Sequence, residues 1–382
     1  MKNYFSSSFK LGILGGGQLG KMMLYDTRKY DIQTYVLDPS AEAPSRLACN
    51  HFEQGKLTDY ETVYNFGKKV DVLTFEVETV NIEALEALEK EGKKVYPSAK
   101  TLRNIQDKGV QKDFYSTHNI PTAGYTKYAF AKAIAQDNPS YPFIWKSCQG
   151  GYDGKGVAVV RTEQDLDKLP QVPCIAEDMV PFKNELAVIV ARNVSGDVIT
   201  YPVVEMEFHP EANQVEYVLC PARIDDNVAQ KARAIAEKVS NTFNHVGLLA
   251  VEMFQTEDDQ ILVNEVAPRP HNSGHYSIEG SYTNQFEQHL RAILDLPLGD
   301  TSSKAGSVMV NLVGEEGHEG QVYYQKIADI MQLKGVTPHI YGKPHTRPFR
   351  KMGHVTIIDE DINQARKIAE QVKQTIRVIS AS

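Results

Sequence analysis

Residues 10–38 set the strongest constraint on the fold of this 382-residue chain. Lys10–Leu14 is a short aliphatic run that reads as a strand. It leads directly into Gly15-Gly16-Gly17-Gln18-Leu19-Gly20 and then a helical pattern over 18–30, with Leu19, Met22, Met23 and Tyr25 near one face. A second strand follows over 32–37, with Asp38 at its end. Glycines between strand and helix let the backbone turn tightly and let the helix pack closely on the sheet. Two strands joined through a helix run parallel, and a parallel sheet needs helices on both faces. The alternation continues with strands over 70–75 and 95–96 and a helix over Ile82–Lys90, which predicts a doubly wound domain.

The glycine spacing and Asp38 also match the dinucleotide fingerprint, in which bare N–H groups at a helix N-terminus receive a phosphate. By itself the motif suits an NAD-dependent oxidoreductase, or simply any β-α-β opening that needs a tight turn. Nothing later in the chain reads as a hydride-transfer site. Glu76 and Glu78 follow the 70–75 strand, at the end of the sheet where open α/β folds bind ligands.

The charge balance, 41 basic against 49 acidic residues and a net charge of −8, repels nucleic acid and anionic lipid. An anionic ligand therefore has to meet a local basic cluster or a bound cation. Four scattered cysteines without a Cys-x-x-Cys pair argue against a disulfide scaffold or a thiolate zinc site and suit a reducing compartment. No apolar run approaches a membrane span and the N-terminus lacks a signal-peptide pattern, so the expectation is a soluble cytoplasmic protein.

Further along, residues 101–124 read as a polar helix followed by a turn, with strands over 143–146, 156–160 and 174–177. Residues 185–265 are mostly strands, with a helix over Asp226–Phe243; a polar loop over 266–280, a helix over 284–294 and a small α/β unit over 306–382 complete the chain. Between the first two of those strands lies Gly150-Gly151-Tyr152-Asp153-Gly154-Lys155-Gly156. Such a loop can wrap anionic oxygens with its N–H groups, with Lys155 at its tip and Lys146 below, or it is a plain hairpin loop. It is not a Walker A loop, because no Ser or Thr follows the Gly-Lys.

Strands over 246–254 and 260–266 are joined by Thr256-Glu257-Asp258-Asp259. A hairpin centred between Asp258 and Asp259 sets Glu252 opposite Glu265, with Cβ atoms about 5 Å apart. Two such carboxylates repel unless a proton or a cation intervenes, and hard oxygen ligands beside phosphates favour Mg2+. The bland alternative is a solvent-facing hairpin whose charges avoid each other. Directly after Glu265, Ala267-Pro268-Arg269-Pro270-His271-Asn272-Ser273-Gly274-His275 carries a guanidinium, two imidazoles, an amide and a hydroxyl in an irregular loop. Its prolines and glycine argue against a helical zinc pair at His271 and His275. Finally, 343–351 holds four basic residues (Lys343, Arg347, Arg350, Lys351) and no acid, either a solvated loop or the cluster an anionic substrate would need.

These stretches resemble the ATP-grasp superfamily, most closely its 5-(carboxyamino)imidazole ribonucleotide synthase family. The resemblance covers nearly the whole chain and rests on GGGQLGKM (15–22), GGYDGKG (150–156), VEMF (251–254), NEVAPRPHNSGH (264–275) and RKMGH (350–354). It implies an α/β ATP-grasp fold: an N-terminal doubly wound parallel-sheet domain over 1–103, a two-lobed ATP-grasp domain over 104–300 with its small lobe at about 125–177, and a small C-terminal domain over 301–382. It also implies a carbon–nitrogen ligase of purine biosynthesis that joins ATP, bicarbonate and aminoimidazole ribonucleotide, uses Mg2+, and forms a cytoplasmic homodimer.

Carried over by motif, Lys108 and Lys146 would contact the ATP phosphates under a lid of Gly151, Tyr152, Asp153, Gly154, Lys155, Gly156 and Val157. Glu177, Asp178, Met179 and Val180 would face the adenine and Glu185 the ribose, with Asn264 and His209 also at the nucleotide. Glu252 and Glu265 would hold Mg2+. Tyr152, Asp153, Lys155, Arg269, His271, Asn272 and Ser273 would surround bicarbonate and the reacting amine. Gln18, Leu19, Glu76, Lys343, Arg350 and Lys351 would take the ribonucleotide, so in this family the glycine loop serves the ribonucleotide rather than NAD. Two stretches depart from the family pattern: Glu78 is followed by Thr79 rather than Asn, and Glu205-Met206-Glu207-Phe208-His209 is one residue longer than usual and lacks its Asn. The related alternative is a formate-dependent glycinamide ribonucleotide formyltransferase.

Overall fold

The computed structural model describes residues 3–151, 156–209 and 214–381. The N-terminal sheet holds Lys10–Leu14, Gln33–Asp38, His51–Gln54, Val72–Phe75 and Lys94–Val95, all parallel, with the first strand at the centre. Its second and third strands lie on one side of the first and its fourth and fifth on the other. The strand order therefore reverses between Lys10–Leu14 and Val72–Phe75, and the crevice at such a reversal is where open α/β sheets admit ligands. Gly15 and Glu76 sit at the two lips of that crevice.

The expected polar helix over 101–124 is instead two helices, Ala99–Gln106 and Lys108–Thr117. Asp107 between them is extended, and its side chain accepts the Val110 N–H at 3.0 Å, capping the second helix. A four-stranded antiparallel sheet follows, in the order Tyr125–Tyr128, Cys174–Asp178, Phe143–Ser147, Val157–Val160. Phe143, Trp145 and Cys174 point to its packed face, and Trp145, 1% exposed, lies in that core. Lys146 and Glu177 point to the other face.

The largest sheet is antiparallel and runs in space from Ile261–Ala267 through Gly247–Thr256, Phe182–Arg192, Val204–Phe208, Val215–Cys220 and Gly306–Val313 to Lys351–Asp359 and Val336–Ile340. It thus crosses residue 300 without a break. Its two faces differ by the period of two. One buries Leu186, Val188, Val251, Met253 and Val263 under helix Asp226–Phe243, whose Val228, Ala232, Ala236, Val239 and Phe243 recur at helical spacing. Farther along, Val308, Val310, Val355 and Ile357 lie under Ala365, Ala369 and Val372 of helix Ile362–Thr375. The opposite face carries Glu185, Glu252 and Glu265 at one end and Asn311 and His354 at the other. Tyr276, in the segment after the last hairpin, packs on its middle against Ala187, Met206, Val218 and Met309. The expected polar loop over 266–280 contains two short helical turns, Asn272–Gly274 and Ser277–Gly280.

Candidate active site

The hairpin sets Glu252 opposite Glu265, as its loop suggested, but by a different route. Next to the turn the register is Gln255↔Ile261, Phe254↔Leu262 and Met253↔Val263, which centres the turn on Asp258. Continued, that register would put Asn264 opposite Glu252. A bulge between Val263 and Glu265 inserts Asn264 as an extra residue and restores the Glu252–Glu265 pairing. Bulges re-aim side chains in this way beside functional sites. Glu185 shares the face two residues along the next strand, since Ala187 pairs with Glu252 and Glu185 with Phe254.

The three carboxyls do not ionise alike. Burial, then the facing Glu265 and Glu185, push the Glu252 pKa up. Lys108 beside it holds Glu265 well below the usual carboxylate range. Burial, with Glu265 adding and Lys146 opposing, pushes Glu185 up to about 7. The Lys108 ammonium lies 2.5 Å from Glu265 Oε2. Burial disfavours that ammonium, but Glu265, with Glu177 and Glu252 behind it, outweighs burial and raises its pKa.

Lys146 reaches the same place from the small sheet. Its Nζ donates to Asn264 Oδ1 at 2.8 Å and lies 2.8 Å from Glu177 Oε2. Glu177, 3% exposed, is turned toward lysines and not toward the open end of its strand; its other oxygen is 3.0 Å from Lys112 Nζ. Burial would raise the Glu177 pKa, but Lys146 and Lys112 outweigh it and the net shift is downward. The accessible part of the segment expected at the adenine is Asp178–Val180, where Met179 is 50% exposed.

The loop after the hairpin is fixed at several points. Gln285, fully buried, accepts the His271 N–H at 2.9 Å, donates to the His271 carbonyl at 2.8 Å, and lies 2.9 Å from His275 Nδ1. Asn272 and Asn311 exchange amide hydrogen bonds of 2.9 Å each way. Arg269 Nε lies 2.8 Å from Glu78 Oε1, which ties the loop to the N-terminal sheet. The Ser273 N–H donates to His271 Nδ1 at 3.3 Å, with the Ser273 hydroxyl 2.9 Å from the same nitrogen. A backbone N–H can only donate, so Nδ1 is an acceptor and neutral His271 carries its proton on Nε2. That nitrogen is 3.4 Å from Glu252 Oε1. His271 is thus brought beside Glu252, with Ser273 against its ring, while Arg269 is turned to Glu78 and Asn272 to Asn311.

The glycine loop is closed rather than open. The Gly16 N–H donates to Asp38 Oδ2 at 2.7 Å, the Gly17 N–H to Glu76 Oε1, and the Gly20 N–H to Glu76 Oε2 at 2.5 Å. Glu76, 3% exposed, caps the helix itself; burial raises its pKa against the two N–H groups that favour the ionised form. Two carboxylates therefore occupy the seat that a dinucleotide pyrophosphate needs, and the NAD reading of this motif fails on geometry. Gln18 stays partly exposed, whereas the Leu19 side chain is buried in the core and leaves only its backbone to a ligand.

Lys21, one turn on, donates to the carbonyls of Ile340 at 2.9 Å and Tyr341 at 3.2 Å, so the C-terminal unit docks on the same helix. Lys343 donates to the Lys351 carbonyl at 2.7 Å, and Arg350 to the His345 carbonyl at 2.5 Å. Lys351 comes close enough to Glu252 to favour its ionised form. His209 lies beside Phe349 with ring centroids 6.3 Å apart, and lines a cavity of about 320 Å³ with Asn311 and Lys373. In the expected lid, Gly151, Gly156 and Val157 are placed. Gly156 has φ +74, and a Cβ there would meet Ser147 Oγ at 2.5 Å. Tyr152, Asp153, Gly154 and Lys155 lie outside the described residues.

Sequence reasoning missed Lys112, Gln285 and Asn311. Lys112 had a signal, since it follows Lys108 by four residues on one helix and shares its face. Asn311 is the one amide in the run Val308–Val313. Gln285 had none, because its partners, the His271 backbone and the His275 ring, meet it only through the fold.

Comparison with known proteins follows the same division. Residues 9–106 match the ribonucleotide synthetase preATP-grasp domain, 113–286 the ATP-grasp domain, and 307–368 the phosphoribosylaminoimidazole carboxylase C-terminal domain. The chain is 39% identical over 362 residues to the chloroplastic phosphoribosylaminoimidazole carboxylase of Vigna aconitifolia, with 92% of the chain covered, and spans 64% of that relative's length. It is 37% identical over 358 residues to the N5-carboxyaminoimidazole ribonucleotide synthase of Bacillus subtilis, covering 92% of the chain and 91% of the relative. The crystal structure of N5-carboxyaminoimidazole ribonucleotide synthetase from Thermotoga maritima superposes with a TM-score of 0.91 at 40% identity, over 98% of this chain and 100% of that one. The Aspergillus clavatus N5-carboxyaminoimidazole synthase, solved with ADP and 5-aminoimidazole ribonucleotide, gives a TM-score of 0.88 at 33% identity, over 96% and 98%. With all three segments matched in order and a relative of nearly its own length this similar, the chain has an ATP-grasp fold and belongs to the N5-carboxyaminoimidazole ribonucleotide synthase family.

Proposed function

We propose that this protein carboxylates 5-aminoimidazole ribonucleotide with bicarbonate at the expense of ATP, giving N5-carboxyaminoimidazole ribonucleotide, ADP and phosphate in purine biosynthesis. The observation that carries this reading is the junction on one sheet face. There Glu252 and Glu265 stand opposed beside Lys108 and Lys146, and the loop bearing Arg269 and His271 adjoins them.

Glu252 and Glu265 fit a magnesium ion. They are paired hard-oxygen donors, burial and then their mutual repulsion already push Glu252 toward protonation, and a site with two protein carboxylates leaves positions for phosphate and water. When bound, the ion would neutralise phosphate oxygens as charge develops. Lys108 and Lys146 would lie along the phosphates, and Asp178–Val180 with Glu185 at the nucleoside.

In the first step a bicarbonate oxygen forms a bond to the γ-phosphorus as its bond to ADP breaks, giving carboxyphosphate. Alignment and fixed charge do most of this work, and exclusion of water protects the intermediate. In the second step the ribonucleotide amine bonds to the carboxyl carbon, phosphate leaves, and the amine loses a proton. Arg269 would hold the carboxyl oxygens on exchanging its Glu78 partner. His271 is the proton acceptor in this reading. Its Nδ1 becomes available when the Ser273 contact gives way.

The ribonucleotide phosphate is assigned to Lys343, Arg350 and Lys351, with Gln18 and the glycine loop beside it. Glu76 serves there by ordering that loop. From the family alone we further expect a cytoplasmic homodimer. The test is phosphate release from Mg-ATP with aminoimidazole ribonucleotide, in degassed buffer with and without bicarbonate. Release that requires bicarbonate is expected. Release that instead requires formate and glycinamide ribonucleotide, or no release at all, would overturn the reading.

A further inference from the structure

Among the described charged side chains around the junction, Lys112 has no part in the chemistry above and is the most deeply buried, at 2% exposure. Its ammonium makes three contacts on three elements. It lies 3.0 Å from Glu177 Oε1 on the small sheet, donates to Thr122 Oγ1 at 2.6 Å, and sits 6.0 Å from the centre of the Tyr125 ring. Thr122 passes the contact on: its hydroxyl donates to the Val263 carbonyl at 2.6 Å, and the Val263 N–H donates to the Pro121 carbonyl at 2.8 Å. Val263 is the last residue before the bulge that aims Asn264 and Glu265.

We propose that Lys112 is a positioning residue of the nucleotide site: it shares the Glu177 carboxylate so that Lys146 keeps its charge for the phosphates, and it ties the small lobe to the strand carrying Asn264 and Glu265. This inference rests on the nucleotide assignment given above. The charge count carries it. Glu177 stands between two ammonium groups, so Lys112, Glu177 and Lys146 together hold one net positive charge. Without Lys112, Glu177 and Lys146 become a closed neutral pair, and the phosphates lose one of the charges that attract them. Three lysines, 108, 112 and 146, crowded this closely are costly to fold, and burial with Lys146 and Lys108 nearby pushes Lys112 down to about 8. Such crowding is the pattern of groups placed for function at the expense of stability.

The charge argument separates this role from simple packing. Lys112→Met should weaken ADP binding, read by calorimetry with Mg2+, by roughly tenfold, the scale of one partly screened charge–phosphate contact. KM for ATP should rise similarly, while kcat at saturating ATP stays within about threefold. Adding Glu177→Gln to Lys112→Met frees Lys146 again and should return ADP affinity to within about threefold of the parent. If Lys112→Met does not fold, the double variant, which leaves no lone buried carboxylate, serves by itself against the same threshold. Unchanged ADP affinity in Lys112→Met, or a double variant that binds at least tenfold more weakly than the parent, would overturn the proposal. The binding comparison uses neither ribonucleotide nor bicarbonate. Failure of the carboxylation reading would appear separately, as missing bicarbonate-dependent turnover in the unmodified protein.

Discussion

Glu185→Gln should stabilise this protein above neutral pH and leave it unchanged in mild acid. Glu185 projects from Phe182–Arg192 onto the face that Glu252 and Glu265 already occupy. Burial and Glu265 push its pKa from 4.5 up to about 7, with Lys146 opposing. A carboxyl raised on folding binds its proton more tightly in the native state. Stability is then unaffected below the unfolded pKa and falls as pH rises from about 4.5 to about 7. At about 1.4 kcal/mol per unit the full cost of ionisation is on the order of 3 kcal/mol, and partial exposure to the cleft reduces it to about 2. An unfolding entropy of about 2 cal/mol/K per residue converts that to a rise in Tm of about 2–5 °C, the range covering unfolding of the whole chain or of the central region alone. The assay is a thermal melt of parent and variant in EDTA at pH 5 and pH 8. Gln has the same shape without the charge, so the curves should coincide at pH 5 and separate at pH 8. Equal stabilisation at both pH values, or destabilisation at pH 8, would refute the electrostatic reasoning. ADP affinity should fall in the same variant, because the group that costs stability is the one assigned to the ribose.

Three further outcomes follow from the same geometry. Gly274→Ala would bring a Cβ to 2.7 Å from Gln285 Cδ, and Gln285 cannot retreat without releasing both backbone groups of His271; a loss of about 1–3 kcal/mol by denaturant titration and a lowered kcat are expected. Nitrogen NMR of the ligand-free protein should find neutral His271 protonated on Nε2, because the Ser273 N–H occupies Nδ1; protonation on Nδ1 would remove that contact from the account. Lys112 faces Glu177, Lys146, Lys108, Thr122 and Tyr125, and burial lowers its pKa from 10.5 to about 8. The unfolded chain therefore binds more protons between those pH values, and the cost of burying the Lys112 charge, up to about 3 kcal/mol, is relieved from about pH 8 to 10.5. Urea midpoints of parent relative to Lys112→Met should move in the parent's favour across that window.

The parts of the fold that rest on local periodicity were readable in the sequence. Ile82–Lys90 and Asp226–Phe243 form over the residues whose apolar spacing marks them, and the first two strands flank the glycine turn as expected. Single side chains that override a pattern were not readable. Asp107 splits one polar helix into two by capping the second, which propensity summed over a window does not register. The Glu252–Glu265 pairing illustrates the same limit. Counting from the turn reached the right pair, although the turn is centred half a residue away from the assumed point and the Asn264 bulge makes up the difference. The pairing of two carboxylates was legible because it has a chemical signature. The bulge was not, since Asn264 looks like any polar residue in a half-buried strand.

The distribution of charge also constrains how substrates can lie. The helix N-terminus beside Gly15 would ordinarily attract a phosphate, but Asp38 and Glu76 fill it with two carboxylates, so anions are turned away from the place where the sequence most strongly invited them. Among the described residues, two basic groups remain around the junction. Lys108, Lys112 and Lys146 stand on the small-lobe side, and Lys343, Arg350 and Lys351 arrive from the C-terminal unit, with Lys351 near enough to act on Glu252. His271 lies at Glu252, on a loop held to the N-terminal sheet through Arg269 and Glu78 and to the C-terminal strand Gly306–Val313 through Asn311. In the proposed reaction two phosphorylated molecules must meet with only a one-carbon unit between them. Segregating the two anion seats, with acid and imidazole in the gap, keeps like charges apart while bringing the γ-phosphate and the amine to the same small space.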